Sequence, residues 1–313
     1  MNSDRHISII AEDFAGMRSQ ASGLAGSFSV SADFTPVRPT GLQRHLPMCF
    51  WPSPRKAIEA VPESDVIFSV AGKGGRVGAA LRRSDRPVVQ IQNPRLPLGW
   101  FDVVVANVHD EISGPNVLLS RTALHGLSPE TLTAAESAWH ARLKPDGRPL
   151  LAVLVGGANG RFRFGAEEAR DLMRKLGRIV RHMGAHLFVT TSRRTGAEAT
   201  EILKNAVTEL GGEIWTGGDD NPYLGLVACA DFLVVTADSV SMVSEAVAGR
   251  APVAVYPLPG RSRRIRLFLE ALRDADRVRF LEETLQPWSV TPLNDTPMVA
   301  AEVSRRIGLP LRV

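Results

Sequence analysis

A chain of 313 residues, 44% hydrophobic and 22% charged, suits two ordinary globular domains, each able to bury its own core. A net charge of +4 with only 6% aromatic residues gives no basis for stacking nucleic-acid bases, and two cysteines, Cys49 and Cys229, are too few for a disulfide framework. No apolar run approaches the roughly 18 residues of a membrane span, and the start MNSDRHISIIAED is too weakly apolar for a secretory leader, so a cytoplasmic location is expected.

The first apolar run, near 6–11, ends in Glu12-Asp13-Phe14-Ala15-Gly16, with Arg18 and Gln20 beyond it. Open α/β sheets bind ligands past the carboxyl ends of their strands, so Asp13 is a candidate general base there. Alternatively it caps a helix starting near Met17. Further strands are expected near 33–37, 65–71, 87–92 and 101–106. Gly72-Lys73-Gly74-Gly75-Arg76 follows the third run and reads as a flexible, anion-tolerant turn; it lacks the Gly-Lys-Ser/Thr ending of a P-loop. Gln92-Asn93-Pro94-Arg95 and Asn107-Val108-His109-Asp110 end the next two runs, with more polar side chains than plain turns need. His109 is a second candidate base, with Asp110 to orient it, and no further His lies at zinc-ligand spacing. Asn116, after Gly114-Pro115, is either a polar contact or a turn residue.

Lys144-Pro145-Asp146-Gly147-Arg148-Pro149 reads as a polar hinge between domains at 1–144 and 149–285. Beyond it, strands are expected near 149–155, 185–191, 213–215, 231–236 and 251–256, and helices near 165–183, 196–209, 239–248 and 264–273. Gly156 and Gly157 end the first of these strands and let the backbone approach a ligand, with Asn159 and Arg161 close behind. The dinucleotide fingerprint is incomplete, so NAD is not expected. Thr191-Ser192-Arg193-Arg194 ends the next strand, either as a clamp on pyrophosphate or as a solvated basic turn. After the 231–236 strand, Asp238, Ser239 and Ser241 open a helix that carries Glu245. Such a helix start favours an anion, and Glu245 is placed to accept hydrogen bonds from a ribose diol; Ser239 is equally a plain N-cap. Arg261, Arg263, Arg264 and Arg266 form a basic cluster suited to phosphate, anionic lipid or solvent. In the tail, residues 286–313, prolines delay any helix until 299–307. The alternation throughout predicts an α/β protein of two Rossmann-like, doubly wound domains with five strands each.

The segment 234–256 resembles the donor-site segment of GT-B glycosyltransferases, where a Ser/Thr-rich turn precedes a helix bearing a Glu and then a Gly-x-Pro strand. More narrowly, the chain is similar to the family of the plant "elongated mitochondria" fission protein, whose bacterial members are described as glycosyltransferases. The likeness runs over roughly 6–280 and rests on Gly156-Gly157, Thr191 to Thr195, Asn221-Pro222-Tyr223, Gln92 to Arg95, Phe101-Asp102, His109-Asp110 and Gly114 to Asn116. It implies two domains facing across a cleft, with residues 286–313 crossing back onto the first. The second domain would hold a nucleotide-sugar donor through Gly156, Gly157, Asn159, Arg161, Thr191, Ser192, Arg193, Arg194, Asp238, Ser239, Ser241 and Glu245, with Asn221 and Tyr223 at the nucleobase. The acceptor, an envelope or lipid-linked glycan, would meet Gly16, Gln20, Lys73, Gln92, Asn93, Arg95 and Asn116. Asp13 is the first choice of base, and His109 and Asp110 stand behind it. No cofactor or metal is expected, because GT-B enzymes neutralise the leaving diphosphate with a helix N-terminus and basic side chains. The Arg261–Arg266 cluster would touch an anionic membrane at its inner face. Two rivals stay open: a scaffold that keeps the fold without catalysis, as the plant member acts as a recruiter in organelle division, and a nucleotide-sugar epimerase. Against the second stands the lack of a Tyr-x-x-x-Lys pair.

Overall fold

The computed structural model describes residues 5–312; residues 1–4 of the start discussed above, and Val313, lie outside the described residues. The chain divides into two compact units, one running to Gly126 and resuming at Asp295, the other Leu127–Asn294.

The first unit is a six-stranded, wholly parallel sheet in the order β2-β1-β3-β4-β5-β6, built from β1 (His6–Ala11), β2 (Ser31–Pro36), β3 (Val66–Val70), β4 (Val88–Ile91), β5 (Val103–Asn107) and β6 (Val117–Ser120). Strands β3, β4 and β5 are buried along their whole length, which is why they read as continuous Val/Ile runs rather than alternating ones. Helices α1 (Ala15–Ala25) and α2 (Ala71–Leu81) complete the unit together with a C-terminal helix, Thr296–Ile307. That helix packs Val299, Ala300 and Val303 into the same core as Ile7, Leu24 and Phe28.

The glycine stretch at 72–76 is not a turn but the first turns of α2. A Cβ on Gly74 would overlap the Ile10 carbonyl, one on Gly75 would come within 2.7 Å of Gln90 Oε1, and one on Gly78 within 2.7 Å of Ser69 Cβ. The glycines therefore let α2 lie directly on β1, β3 and β4. Their helix-propensity cost is about 1 kcal/mol each, offset by that close packing.

The second unit holds α3 (Pro129–Leu143), β7 (Leu150–Leu154), α4 (Ala166–Met183), β8 (His186–Thr190), α5 (Ala197–Glu209), β9 (Glu213–Trp215), α6 (Tyr223–Cys229), β10 (Phe232–Thr236), α7 (Val240–Ala248), β11 (Val253–Tyr256), α8 (Arg263–Asp274) and β12 (Val278–Phe280); the C-terminal helix of the first unit is α9. Its parallel sheet runs β12-β11-β10-β7-β8-β9, the strand order of a dinucleotide-binding fold. Each sheet thus has six strands, not five. The two missed ones, β6 and β12, are edge strands of four and three residues, and in β12 only Val278 is buried.

The domain boundary also falls earlier than the 144–149 hinge. Leu143 is fully buried in the core that holds Leu150 and Leu226, and a Cβ on Gly225 would overlap Trp139, so α3 packs tightly on α6. Lys144 adds an ion pair to Asp231 at 2.6 Å. The polar 144–149 stretch is a turn inside the second unit.

Candidate functional site

Strand order in the second sheet reverses between β7 and β10, and ligands of open α/β sheets bind at such a switch point. The loops leaving those two strands are stitched together. Thr236 Oγ1 accepts Gly156 N–H at 2.8 Å and donates to Asp238 Oδ1 at 2.6 Å, while Asp238 Oδ2 accepts Gly157 N–H at 3.3 Å. A Cβ on Gly156 would overlap the Asp238 carboxylate. Gly156 is therefore needed for the close approach to Asp238 and Gly157 for that to the Arg194 carbonyl, and their N–H groups are spent inside the protein. The Asp238 side chain is completely buried and also pairs with Arg194 at 2.7 Å. Ser192 and Thr195 hydroxyls both donate to the Gly156 carbonyl at 2.5 Å, so the loop after β8 is tied to the loop after β7.

This geometry splits the expected Arg193–Arg194 clamp. Arg194 is committed to Asp238, whereas the Arg193 guanidinium is exposed and, among the described residues, engages no hydrogen bond or ion pair. Asn159 is a loop organiser: its Oδ1 accepts Arg161 N–H at 2.9 Å and Phe162 N–H at 3.0 Å. Its amide donates to the Asp238 carbonyl at 3.3 Å. Thr191 lies buried at the end of β8.

Ser239 is the N-cap of α7, its hydroxyl accepting Met242 N–H at 3.3 Å, and Ser241 sits half-buried in the first turn. One and a half turns on, Glu245 Oε2 accepts the Tyr223 phenol at 2.5 Å. Burial and the Glu245 charge hold that phenol well above its ordinary pKa, so Tyr223 stays a donor. Asn221, exposed, accepts Tyr223 N–H at 3.0 Å and turns the chain into α6. At the far end of α7, the buried Arg277 donates to the carbonyls of Val247, Gly249 and Ala251. Burial without a carboxylate pushes its guanidinium down to about 10.

Arg161 donates to Ser262 Oγ at 3.2 Å, and Gly260 lies so close to the Arg161 carbonyl that a Cβ would overlap it. Arg266 is turned along α8 to Glu270 at 2.9 Å. One Asp-x-Asp pair exists, Asp274-Ala275-Asp276, but it lies at the C-terminus of α8, away from the carboxyl ends of the strands, with Asp276 paired to Arg279 at 3.5 Å.

In the first unit the order reverses between β1 and β3, and the candidates there have partners. Asp13 does not cap α1; the N-cap is Phe14, without a side-chain bond. Instead Arg18 Nε donates to Asp13 Oδ1 at 2.5 Å and holds its carboxyl below the usual range. Lys73 pairs with Glu12 at 2.7 Å. Gly16 lies in the first turn of α1, and the buried Gln20 accepts from Gln92 Nε2 at 3.2 Å. Gln92 and Arg95 both adopt left-handed backbones, φ +67° and +54°, at roughly 1 kcal/mol or more of strain each, the kind of cost that concentrates at ligand sites. Asn93 Oδ1 accepts Arg95 N–H at 2.9 Å.

Two candidates are fixed as structural ties. Asn116 donates both amide hydrogens to the carbonyls of Leu98 and Phe101 at 2.8 and 2.9 Å. Asp110 Oδ2 accepts Asn107 N–H at 3.1 Å, closing a short 3-10 turn, and His109 within that turn is buried. Sequence reasoning gave no site role to Thr236, Thr195 or Gln90. Gln90 is wholly buried and accepts from Ser69 Oγ at 2.6 Å while donating to Ile91 and Gln92 carbonyls.

The profile of the family described as mitochondrial fission ELM1 matches residues 15–307. The Arabidopsis thaliana mitochondrial fission protein ELM1 is 33% identical over 251 residues, 71% of this chain and 58% of that protein, so the chain spans little more than half of that relative. A Rickettsia prowazekii (strain Madrid E) protein, RP120, is 26% identical over 94% of this chain and 96% of its own length. Among solved structures, Acinetobacter baumannii MurG superposes with a TM-score of 0.51 at 14% identity, covering 96% of this chain and 91% of that one. The UDP-GlcNAc 2-epimerase of Methanocaldococcus jannaschii gives 0.52 at 12% identity, covering 97% and 99%. Medicago truncatula UGT71G1, complexed with UDP-glucose, gives 0.52 at 10%, covering 98% and 93%. At such identities the likeness shows the fold, two Rossmann-like units of GT-B type. No helix among the described residues is long and apolar enough to cross a membrane.

Proposed function

We propose that this chain, which belongs to the mitochondrial fission ELM1 family, binds a nucleotide-activated sugar in its second unit and transfers the sugar to a glycan or lipid-linked acceptor. The observation that carries the reading is the convergence at the β7/β10 switch point of the α7 N-terminus, Ser241, the unengaged Arg193 and the Glu245 carboxylate. The helix start and Arg193 would take the diphosphate, with Arg161 beside them, and Glu245 the ribose diol, oriented by Tyr223. In the transfer, the acceptor oxygen bonds to the anomeric carbon, the bond from that carbon to the diphosphate oxygen breaks, and the acceptor proton passes to a base. Asp13 is that base in this reading. The charge of the departing diphosphate is met by arginine and backbone dipoles, so no divalent ion is required.

Nucleoside diphosphates, UDP first because structural neighbours carry it, should stabilise the protein in EDTA by about 2.7 kcal/mol at a hundredfold excess over Kd. No shift in melting temperature with any nucleotide at millimolar concentration overturns the reading.

A second reading, binding without turnover, is favoured by the state of the bases. Asp13 is neutralised by Arg18, His109 is buried, and Asp110 closes a turn. It predicts nucleotide binding but no nucleotide release with any donor. An epimerase of the same fold would instead return a changed sugar still linked to its nucleotide, which chromatography of the products distinguishes.

A further inference from the structure

Between β2 and β3 the first unit makes an excursion, residues 37–58, that is folded inside out. The polar Gln43 is 4% exposed, and its amide donates to the carbonyls of Pro52 and Ser53 at 3.1 Å. Its neighbour Leu42 is 67% exposed. Trp51 is buried and ties its indole N–H to the Leu46 carbonyl at 3.1 Å, while the adjacent Phe50 is 71% exposed. Leu46 is exposed too. These apolar side chains do not face water because the loop is loose: it is knitted by its own hydrogen bonds and seated on α2, where Gly72 has room for no Cβ beside Met48. A packed loop that buries its amide and leaves Leu42, Leu46 and Phe50 exposed is built for an apolar phase.

The same excursion borders a cavity of about 580 Å³ lined by Arg44, Leu46, Met48, Trp51, Lys73 and Arg95. Three cations and no carboxylate line it. Only Lys73 has an acidic partner, Glu12; Arg44 donates to the Pro39 carbonyl, and the Arg95 side chain engages none among the described residues. Cations around a cleft with apolar walls, flanked by projecting Leu42 and Phe50, match one chemistry: a phosphate headgroup above an aliphatic chain.

We propose that the 37–58 excursion is a docking surface for anionic membrane lipid, with Leu42, Leu46 and Phe50 entering the acyl region and Arg44 and Arg95 meeting lipid phosphate. The inference does not depend on sugar transfer. It also assigns membrane contact to this surface rather than to the Arg261–Arg266 cluster.

Co-sedimentation of the full chain with phosphatidylcholine vesicles, with and without phosphatidylglycerol, tests it. Binding is expected to the anionic vesicles, to weaken in high salt, and to fall at least tenfold in Leu42→Ser/Phe50→Ser. In Arg44→Ser it should fall about fivefold, the usual share of one interfacial cation. The variant Arg261→Ser/Arg263→Ser should bind as the parent does. Circular dichroism and nucleotide affinity of Leu42→Ser/Phe50→Ser, expected to match the parent, separate loss of docking from loss of fold or of the nucleotide site. The proposal is overturned if the parent does not sediment with anionic vesicles, or if a folded Leu42→Ser/Phe50→Ser variant binds undiminished. Loss of binding only on changing Arg261 and Arg263 overturns it equally, as does displacement by inorganic phosphate at unchanged ionic strength with no response to the apolar changes.

Discussion

The carboxylate of Glu245 already accepts the Tyr223 phenol, and that contact decides how each residue should answer to substitution. In Glu245→Gln the amide oxygen still accepts from Tyr223, so the fold should hold, while the charge-assisted bonds to a ribose diol are lost at about 1.5–3 kcal/mol, tenfold or more in nucleotide affinity. Unchanged affinity by calorimetry would return Glu245 to a purely structural pairing with Tyr223. Asp13 tests a different step. Because Arg18 keeps its carboxyl below the ordinary range, Asp13 is an anion at neutral pH, available as a base but a weak one. Asp13→Asn should cut nucleotide release by about 10²–10⁴-fold with donor affinity intact; retained release removes Asp13 from the mechanism. What the sequence displayed at this scale was the polar residues at strand ends. What it hid was their partners. Gly156 meets Thr236 across 80 residues and Ser192 across 36, and Arg194 finds Asp238 rather than a ligand. No local pattern encodes such pairings, since each depends on which strands the topology sets side by side.

Among elements, α9 depends on one ion pair. Asp295, 5% exposed at its side chain, accepts Arg121 Nη2 and backbone N–H at 2.7 Å each, just ahead of the first turn. Burial alone would raise its carboxyl; the Arg121 bonds outweigh burial and hold it below the usual range. A carboxylate with a lowered folded pKa contributes stability that is whole above about pH 4 and is lost as pH falls through the folded value. Asp295→Asn should therefore cost roughly 1–2 kcal/mol at pH 7, discounted for the half-exposed Arg121, and much less near pH 3. Urea titrations of both proteins at the two pH values check it; an equal cost at both denies the ion pair its role. The central strands were legible because burial on both faces keeps them almost wholly apolar, as in LLAVL of β7; the buried polar exceptions, such as Gln90 of β4, carry hydrogen-bond partners. The edge strands β6 and β12 carry no such signal, and α2 was read as a turn because its glycines answer to the sheet beneath them rather than to helix propensity. Helix α3 buries Leu143 alone outright, too little apolar face to show at helical spacing.

At the scale of the whole molecule, the unit boundaries make a prediction about fragments. Residues 127–294 should unfold in one cooperative transition and keep nucleotide affinity, whereas 149–294, cut at the apparent hinge, lacks α3 and uncovers Leu226 and its neighbours. Calorimetry of the two fragments decides; equal stability would mean that α3 is peripheral to that core. The first unit behaves differently, since it is split by the second and closed by α9. During synthesis the roughly 170 residues of the inserted unit pass first, which takes roughly 10–30 s at usual elongation rates. Throughout that interval the nascent β1–β6 sheet waits with the seat of Val299 and Val303 uncovered. The first unit is thus begun first and completed last, and a ribosome stall before α9 would leave its six strands with an apolar seat uncovered.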